Sequence, residues 1–350
     1  MATEGTIQSA VFQIELGRGK RVLQWVLVVL LAVALGLVYT AGQFRGLEKR
    51  EAMDMAQLAR NLSRGEGFTT YCIRPLSVWH QKTQGPAHEA QLMQHPDLYN
   101  PPLYPLVLAG VFKLFPSTIF DLKVGNRQFP AERWVILPLN QLLLLASLLL
   151  VYVWAKQVFD RRIAIMAGLM MLLSNTLWSY GVSGLPTNLL MLLLLLSIFC
   201  LSVADRRLNP PEPADAEAPA PAPQGLTGVE IGLVIGSAIL LGLCFLTRYL
   251  TAFLVVPMAL YVAASLRGRR GAVWAGVYVA VFVAVIAPWL VRNYHVSNSL
   301  LGIAKYELID RAGLFGGDSL WRSYKPDLQD AYSLHPLTSK FLTGARVQLT

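Results

Sequence analysis

The sequence predicts an all-α polytopic membrane protein with about seven transmembrane helices and interfacial helices in a long first outer loop. Two observations predict this class. The 350 residues are 54% hydrophobic with a mean hydropathy of +0.46, and the apolar runs are roughly 18 to 25 residues long, the length that crosses a bilayer. Because only a helix satisfies its own backbone in hydrocarbon, each such run predicts a spanning helix.

The first predicted span covers 22–42 and follows a cytoplasmic N-terminus, 1–21. Arg18, Lys20 and Arg21 precede the apolar run, as basic residues do in a signal peptide. The run is longer than the apolar core of a signal peptide, however, and no small-residue cleavage site follows it. The pattern therefore predicts a retained anchor.

A long outer loop, 43–133, follows the anchor and is expected to carry interfacial helices and the active site. Glu51 and Asp54 lie three residues apart in it, so a helix there places both acids on one face. The spacing of the apolar residues predicts a second stripe on this helix, resting on the lipid interface and formed by Met55, Leu58 and Leu62.

The segment 103–115 of this loop is apolar but too short to cross roughly 30 Å of hydrocarbon. We expect a helix that lies in the outer interface. Counting it as a span would also move the basic pair Arg161 and Arg162 to the outer side, against the positive-inside rule.

The remaining spans fall into two groups separated by a linker. The region 134–204 is predicted to hold the second to fourth spans and 228–291 the fifth to seventh. The linker 205–227 is rich in Pro and Ala and is expected to be disordered in the cytoplasm. The segment 292–350 is expected to lie outside. The individual spans are predicted at 134–156, 162–181, 185–204, 228–246, 250–266 and 272–291.

The basic residues give a predicted orientation. If the seven spans alternate, the Lys and Arg clusters near 18–21, 156–162, 206–207 and 267–270 all fall on one side, which should be the cytoplasm. The protein is therefore expected in a bacterial inner membrane with its site facing the periplasm or exterior. Much of the net charge of +9 lies in these loops, near anionic lipid headgroups, so we expect the lipid bilayer and no nucleic acid as partner.

Two kinds of charged residue are candidates for chemistry. Glu51 and Asp54 are candidate catalytic carboxylates, because burial beside lipid raises the pKa of an acid towards that of a general base. The alternative is that they form only the solvated face of a helix, stabilised by its dipole. Arg248 and, more weakly, Arg292 are candidates for binding a lipid-linked phosphate, because arginine at the end of a span meets an anion or snorkels to headgroups.

Three further residues of the first outer loop are candidates for the acceptor pocket. His95 and Asp97 precede a pair of prolines, and Tyr104 follows that pair. The alternatives are an ordinary exposed histidine and an aromatic anchor at the interface.

The order of several short motifs resembles the GT-C membrane glycosyltransferases, which include protein O-mannosyltransferases and aminoarabinose transferases. The resemblance runs through most of the chain. The motifs are Glu51-Ala-Met-Asp54, Ala59-Arg-Asn-Leu62, Gly65-Glu-Gly-Phe68, Asn100-Pro-Pro-Leu-Tyr-Pro105, Leu246-Thr-Arg-Tyr249 and Pro288-Trp-Leu-Val-Arg-Asn293.

The resemblance implies an enzyme that moves a sugar from a polyprenyl-phosphate donor to an acceptor (protein, lipid or glycan) on the outer face, with inversion. The family uses an aspartate where this chain has Glu51, and Asp54 is one turn further on. No cofactor is expected, and a divalent metal is disfavoured because the outer turn 180–188 has no carboxylate. Family members commonly continue into more spans or an outer domain beyond the length of this chain. The alternative to an enzyme is a non-catalytic subunit of the same fold that binds the lipid carrier or assists assembly, and a transporter ranks last.

Overall fold

A computed structural model describes residues 18–90, 92–116, 131–209, 227–310, 319–326 and 328. Residues 1–17 of the predicted cytoplasmic N-terminus and 210–226 of the predicted disordered linker lie outside the described residues, whereas 205–208 of that linker are helical. The α-helices are α1 Arg18–Gln43, α2 Arg50–Ser63, α3 Pro75–Gln84, α4 Leu103–Phe112, α5 Leu137–Val158, α6 Arg161–Leu172, α7 Asn175–Val182, α8 Thr187–Leu208, α9 Gly228–Thr247, α10 Val255–Leu266 and α11 Gly268–Ser297.

The predicted fold class is confirmed. The described residues contain six helices that are long and apolar enough to cross a membrane, and α6 and α7 make a seventh span if the bent pair counts as one. They contain no β-strand, only an isolated bridge between Thr69 and Pro96. A π-helical turn, Glu132–Ile136, leads into α5, and a 3-10 turn, Tyr249–Leu254, leads into α10.

The centre of the bundle is formed by α8, α9 and α11. Apolar side chains dominate it, and three buried hydroxyl groups connect the three helices. The Oγ atoms of Ser197 and Ser237 are 2.9 Å apart, and the Ser237 Oγ is 3.2 Å from the Tyr278 hydroxyl. Hydrogen bonds of this kind stabilise helix association where lipid offers no hydrophobic driving force.

The predicted continuous span 162–181 is wrong in one respect, because α6 and α7 are bent by 51° at a break between them. The break frees backbone carbonyl groups that a continuous helix would satisfy. The buried indole Nε1 of Trp178 donates to the Leu172 carbonyl at 2.7 Å. Tyr39 of α1 stacks on Trp178 and donates to the Asn175 side chain, so the first helix packs at this break.

The described part of the first long loop, 43–133, packs against the bundle through α2 and α4. The prediction that Met55, Leu58 and Leu62 rest on lipid is wrong: Met55 and Leu58 are fully buried, and Leu62 is partly buried against the main apolar core. The reason is that α4, although only ten residues long, packs directly against α2. As predicted, α4 is too short to span, but it covers the apolar face of the acidic helix.

Different contacts join the helices at the two opposite ends of the bundle. At one end, the side chain of Arg206 donates to the Gln157 carbonyl and that of Asn209 donates to the Ser265 carbonyl. At the other end, the first long loop meets the C-terminal ends of α9 and α11. All of the predicted site residues belong to this second end or to the loop that covers it.

Several helices extend beyond their predicted ends, and α8 and α11 are two clear cases. The helix α8 continues from the predicted end at 204 to Leu208, and α11 covers Gly268–Ser297 instead of 272–291. Basic residues in the last turn of α8 favour its extension through the helix dipole. The last turns of α11 are stabilised by contacts with the first long loop, which hydropathy alone does not show.

Candidate active site

The structure brings together Glu51 and Arg248, which are 197 residues apart in the sequence. Glu51 lies in the first turn of α2, and Arg248 is the extended residue that follows α9. The Nη2 atom of Arg248 donates to both carboxylate oxygens of Glu51, at 3.0 and 2.9 Å. The pair is accessible at the protein surface, because the Arg248 side chain is 40% exposed and that of Glu51 is 33% exposed.

Burial raises the pKa of the Glu51 carboxyl above its ordinary value of 4.5, and Arg248 acts in the opposite direction. Glu307 and, more weakly, Asp54 also raise this pKa through repulsion between carboxylates. The result is a half-buried acid whose pKa is raised although it is paired with an arginine. An acid of this kind is a better proton acceptor than an ordinary surface glutamate.

Asp54 has a different environment, although it lies one turn from Glu51. Its side chain is only 5% exposed and forms an ion pair with Arg74. Burial raises the pKa of Asp54, Arg74 lowers it and Asp97 raises it. The same Arg74 is 4.0 Å from the Asp97 carboxylate. Asp54 therefore joins α2 to the residues that precede α3, whereas the Glu51 side chain is accessible from outside the protein.

The Arg292 guanidinium contacts the first long loop and its own helix. Its Nη1 donates to the Asp97 carbonyl at 2.8 Å, and its guanidinium lies 4.8 Å from the centre of the Trp289 ring. Trp289 in turn donates to the Tyr249 hydroxyl at 2.7 Å. These contacts attach α11 to the first long loop, whereas the Arg248 side chain is 40% exposed. Phosphate binding by either arginine stays a prediction.

The three residues predicted for the acceptor pocket lie inside the protein. His95 is 1% exposed and its Nε2 is 2.8 Å from the Ser77 Oγ. The Asp97 carboxylate, also buried, accepts from the backbone N–H groups of residues 99 and 100. Tyr104 is fully buried and donates to the Asn140 side chain. Their burial contradicts the alternatives of an exposed histidine and an interfacial anchor. His95 and Asp97 line one cavity together with Arg74 and Ser77, and the acceptor-pocket assignment stays a prediction.

Three residues at this site were not predicted from the sequence: Arg74, Tyr99 and Glu307. The guanidinium of Arg74 lies 4.2 Å above the centre of the Tyr99 ring, and the Tyr99 hydroxyl donates to Glu307. Arg74 directly precedes the proline that begins α3, a position that indicates a helix start but no ion pair. No local pattern distinguishes Glu307 from any other exposed acid.

Among the described residues, no group of three or more His, Cys, Asp and Glu could hold a metal ion. The expectation on metals stays a prediction. Comparisons of the chain with protein-family models, with curated proteins and with solved structures find no match. The resemblance to the GT-C enzymes therefore depends on the order of the sequence motifs.

Proposed function

We propose that this chain is an integral-membrane glycosyltransferase that moves a sugar from a polyprenyl-phosphate donor to an acceptor. The observation that carries the proposal is the open pair of Glu51 and Arg248, which combines a half-buried acid of raised pKa with a cation at the end of a span. The order of the motifs supports the same class. On this proposal the site faces the periplasm or exterior of a bacterial inner membrane, because the basic loops lie at the other end.

The reaction that fits the pair is a single displacement with inversion. The Glu51 carboxylate takes the proton of an acceptor hydroxyl, and the acceptor oxygen forms a bond to the anomeric carbon. The bond from that carbon to the phosphate oxygen breaks, and its electron pair leaves with the carrier phosphate. Arg248 stabilises the negative charge that develops on this phosphate.

The geometry of Arg248 is compatible with both roles of the pair. The two hydrogen bonds to Glu51 use one terminal nitrogen, Nη2, and no other described residue accepts from this guanidinium. An arginine has five N–H donors in a fixed fork, so a phosphate can be bound while Glu51 stays in contact. Exposed Leu250 and Phe253 follow Arg248 in the chain, so the arginine borders a surface suited to lipid.

A second function, binding of the lipid carrier without turnover, is supported by the departure from the family pattern at Glu51. A glutamate places its carboxylate more than an ångström from the position of an aspartate, and catalysis depends on such positions. On this alternative Arg248 binds the carrier phosphate, and Glu51 serves only as its ion-pair partner in the empty site.

The test is transfer of radiolabelled sugar from a polyprenyl-phosphate-sugar pool in membranes that contain matched amounts of each variant. Glu51→Gln should lower transfer at least about 100-fold, the contribution of a general base. Arg248→Ala should also abolish transfer, and Arg248→Lys should restore part of it because the charge returns without the fork. Glu48→Gln, an exposed acid one turn before Glu51 in the sequence, is the matched control and should leave transfer unchanged.

The outcomes separate the two functions. Transfer that survives both Glu51→Gln and Arg248→Ala would refute the proposed site. If the wild type transfers no sugar but binds the carrier, and Arg248→Ala abolishes that binding, the carrier-binding subunit is favoured. Asp54→Asn should lower the amount of folded protein more than the rate per folded molecule, because Asp54 is the buried partner of Arg74.

A further inference from the structure

A cavity of about 310 Å³ lies between α3, the loop that follows it and the end of α11, and we call it the loop cavity. Its volume is in the range of pockets that bind small molecules. Glu51 and Arg248 are not among the described residues that line it, so it differs from the proposed active site. The lining includes three polar side chains and three apolar ones: Gln81, Glu89, Gln94, Pro86, Ala87 and Pro96.

Hydrogen bonds at the end of α3 hold one wall of the loop cavity in place. The Gly85 N–H donates to the Gln81 carbonyl at 3.1 Å, and a Cβ on Gly85 would collide with that same oxygen. His88 adopts a φ of +51°, in the left-handed region that few residues with a side chain enter. On the opposite side, the Asn298 side chain donates to the Gln84 carbonyl at 2.9 Å. The cavity is thus shaped in advance, which lowers the ordering cost of binding a ligand.

Gln81 brings an amide without a complete set of hydrogen bonds to this wall. The residue is 5% exposed, and its Oε1 is shielded from solvent and has no hydrogen-bond partner. A buried amide oxygen destabilises the protein unless a donor reaches it. The terminal torsion of a glutamine is broad and two-fold, so a half-turn exchanges the oxygen and the nitrogen at the wall. An O–H or N–H group of a ligand in the loop cavity would supply the missing partner.

The chemistry of the lining selects the class of ligand. No Lys, Arg or aromatic side chain is among the described residues that line the cavity, so an anionic ligand would meet the Glu89 carboxylate without a compensating cation. A purely apolar ligand would leave the amides of Gln81 and Gln94 unpaired. A saccharide fits both limits, because its hydroxyl groups donate and accept and its C–H faces pack on apolar rings. It also carries more donors in this volume than a peptide does.

We propose that the loop cavity is a binding site for an uncharged saccharide unit, with the Gln81 amide as its central polar contact. The inference goes beyond the proposed function and does not depend on it, since neither Glu51 nor Arg248 is among the lining residues described. It assigns the first long loop a role in holding a glycan as well as in carrying Glu51.

The test is saturation-transfer difference NMR on the full chain in lipid nanodiscs, which avoid the sugar headgroups of maltoside and glucoside detergents. The probes are glucose, mannose, galactose and N-acetylglucosamine, with glucuronic acid as the charged analogue. At least one neutral probe should bind saturably. Glucuronic acid should bind more weakly than the best neutral probe, because its carboxylate meets Glu89.

Three variants locate the binding. Gln81→Met keeps the length of the side chain and removes the amide, so the best probe should bind about three- to tenfold more weakly, the value of one hydrogen bond. Ala87→Phe fills the cavity from an exposed position and should abolish binding. Gln84→Met is the matched control and should bind as wild type, because Gln84 is an exposed glutamine of the same helix outside the described lining.

The outcomes decide this inference separately from the transferase proposal. Arg248→Ala should bind the saccharide as wild type, so loss of transfer and loss of this binding are distinct results. If Gln81→Met lowers the amount of folded protein, Ala87→Phe still decides, because its position is exposed. Failure of every neutral probe to bind saturably would overturn the inference, as would wild-type binding by Ala87→Phe. Saturable binding of the peptide Gly-Pro-Gln-Gly but of no saccharide would also overturn it.

Discussion

Acid should release the 3-10 turn Gly302–Leu308, which follows the last span, from the first long loop. The reason is that a buried histidine holds the turn and the loop together. His80 of α3 is fully buried. Its Nε2 is 3.0 Å from the Ser297 carbonyl, so this nitrogen carries the proton, and its Nδ1, 3.2 Å away, accepts from the Tyr306 hydroxyl. Burial and, secondarily, the charge of Lys305 lower the pKa of His80 from 6.5 to about 4.

The size of the effect follows from this pKa. The folded form holds His80 neutral while the open form binds a proton below about pH 6.5, so stability is lost as pH falls from 6.5 towards 4. Between pH 7 and pH 5 the docked state should lose about 2 kcal/mol, since one pKa unit corresponds to about 1.4 kcal/mol. Above pH 7 both forms are neutral and the loss vanishes.

Hydrogen exchange of the backbone amides in 75–84 and 302–308 measures this opening directly. After correction for intrinsic rates, exchange through opening should be about thirtyfold faster at pH 5 than at pH 7, the equivalent of about 2 kcal/mol. His80→Gln offers the same two hydrogen bonds without a titrating group, so most of the pH dependence should disappear. His88→Gln, at an exposed loop position, is the control and should behave as wild type. Equal pH dependence in wild type and His80→Gln would refute the reasoning.

Two further variants test the packing of the site by thermal unfolding in detergent. Gly302→Ala should destabilise the protein by more than about 2 kcal/mol, because the positive φ is strained and the added Cβ meets the Leu98 oxygen. Gly110→Ala is the control and should not destabilise it, because a Cβ there meets nothing within 4 Å. Equal effects of the two substitutions would contradict the close packing of Gly302 on Leu98. Arg60→Ala should lower the free energy of unfolding by about 3–5 kcal/mol, because it leaves the buried Glu132 charge unpaired. The double variant Arg60→Met with Glu132→Leu should recover most of that loss. A double variant as unstable as Arg60→Ala would argue against the ion pair.

The spans could be predicted because a bilayer imposes one length and one composition on each of them. The runs 22–42 and 228–246 agree closely with the helices Val22–Gln43 and Gly228–Thr247. The sequence predicted that Glu51 and Arg248 serve one site, as base and as phosphate ligand, but it did not predict a contact between them. The structure adds that the two residues touch.

The errors arose where tertiary contacts replace lipid or water. The stripe of Met55 and Leu58 has the same periodicity whether it faces lipid or another helix, and only the docking of α4 decides between them. An exposed loop position was the alternative for His95, yet its ring is buried and its Nε2 lies 2.8 Å from the Ser77 Oγ. The sequence gives no signal for Glu307 because its contact with Tyr99 joins two residues that are 208 positions apart.

The most direct test of the proposed chemistry is the release of polyprenyl phosphate from polyprenyl-phosphate-sugar by the purified chain in liposomes. We expect the wild type to release the carrier phosphate in step with acceptor glycosylation, and Glu51→Gln to release at least about 100-fold less while still binding the donor. Two results would contradict the assignment of Glu51 as the base. One is equal release of carrier phosphate by wild type and Glu51→Gln. The other is a wild type that binds every donor supplied but releases carrier phosphate from none of them.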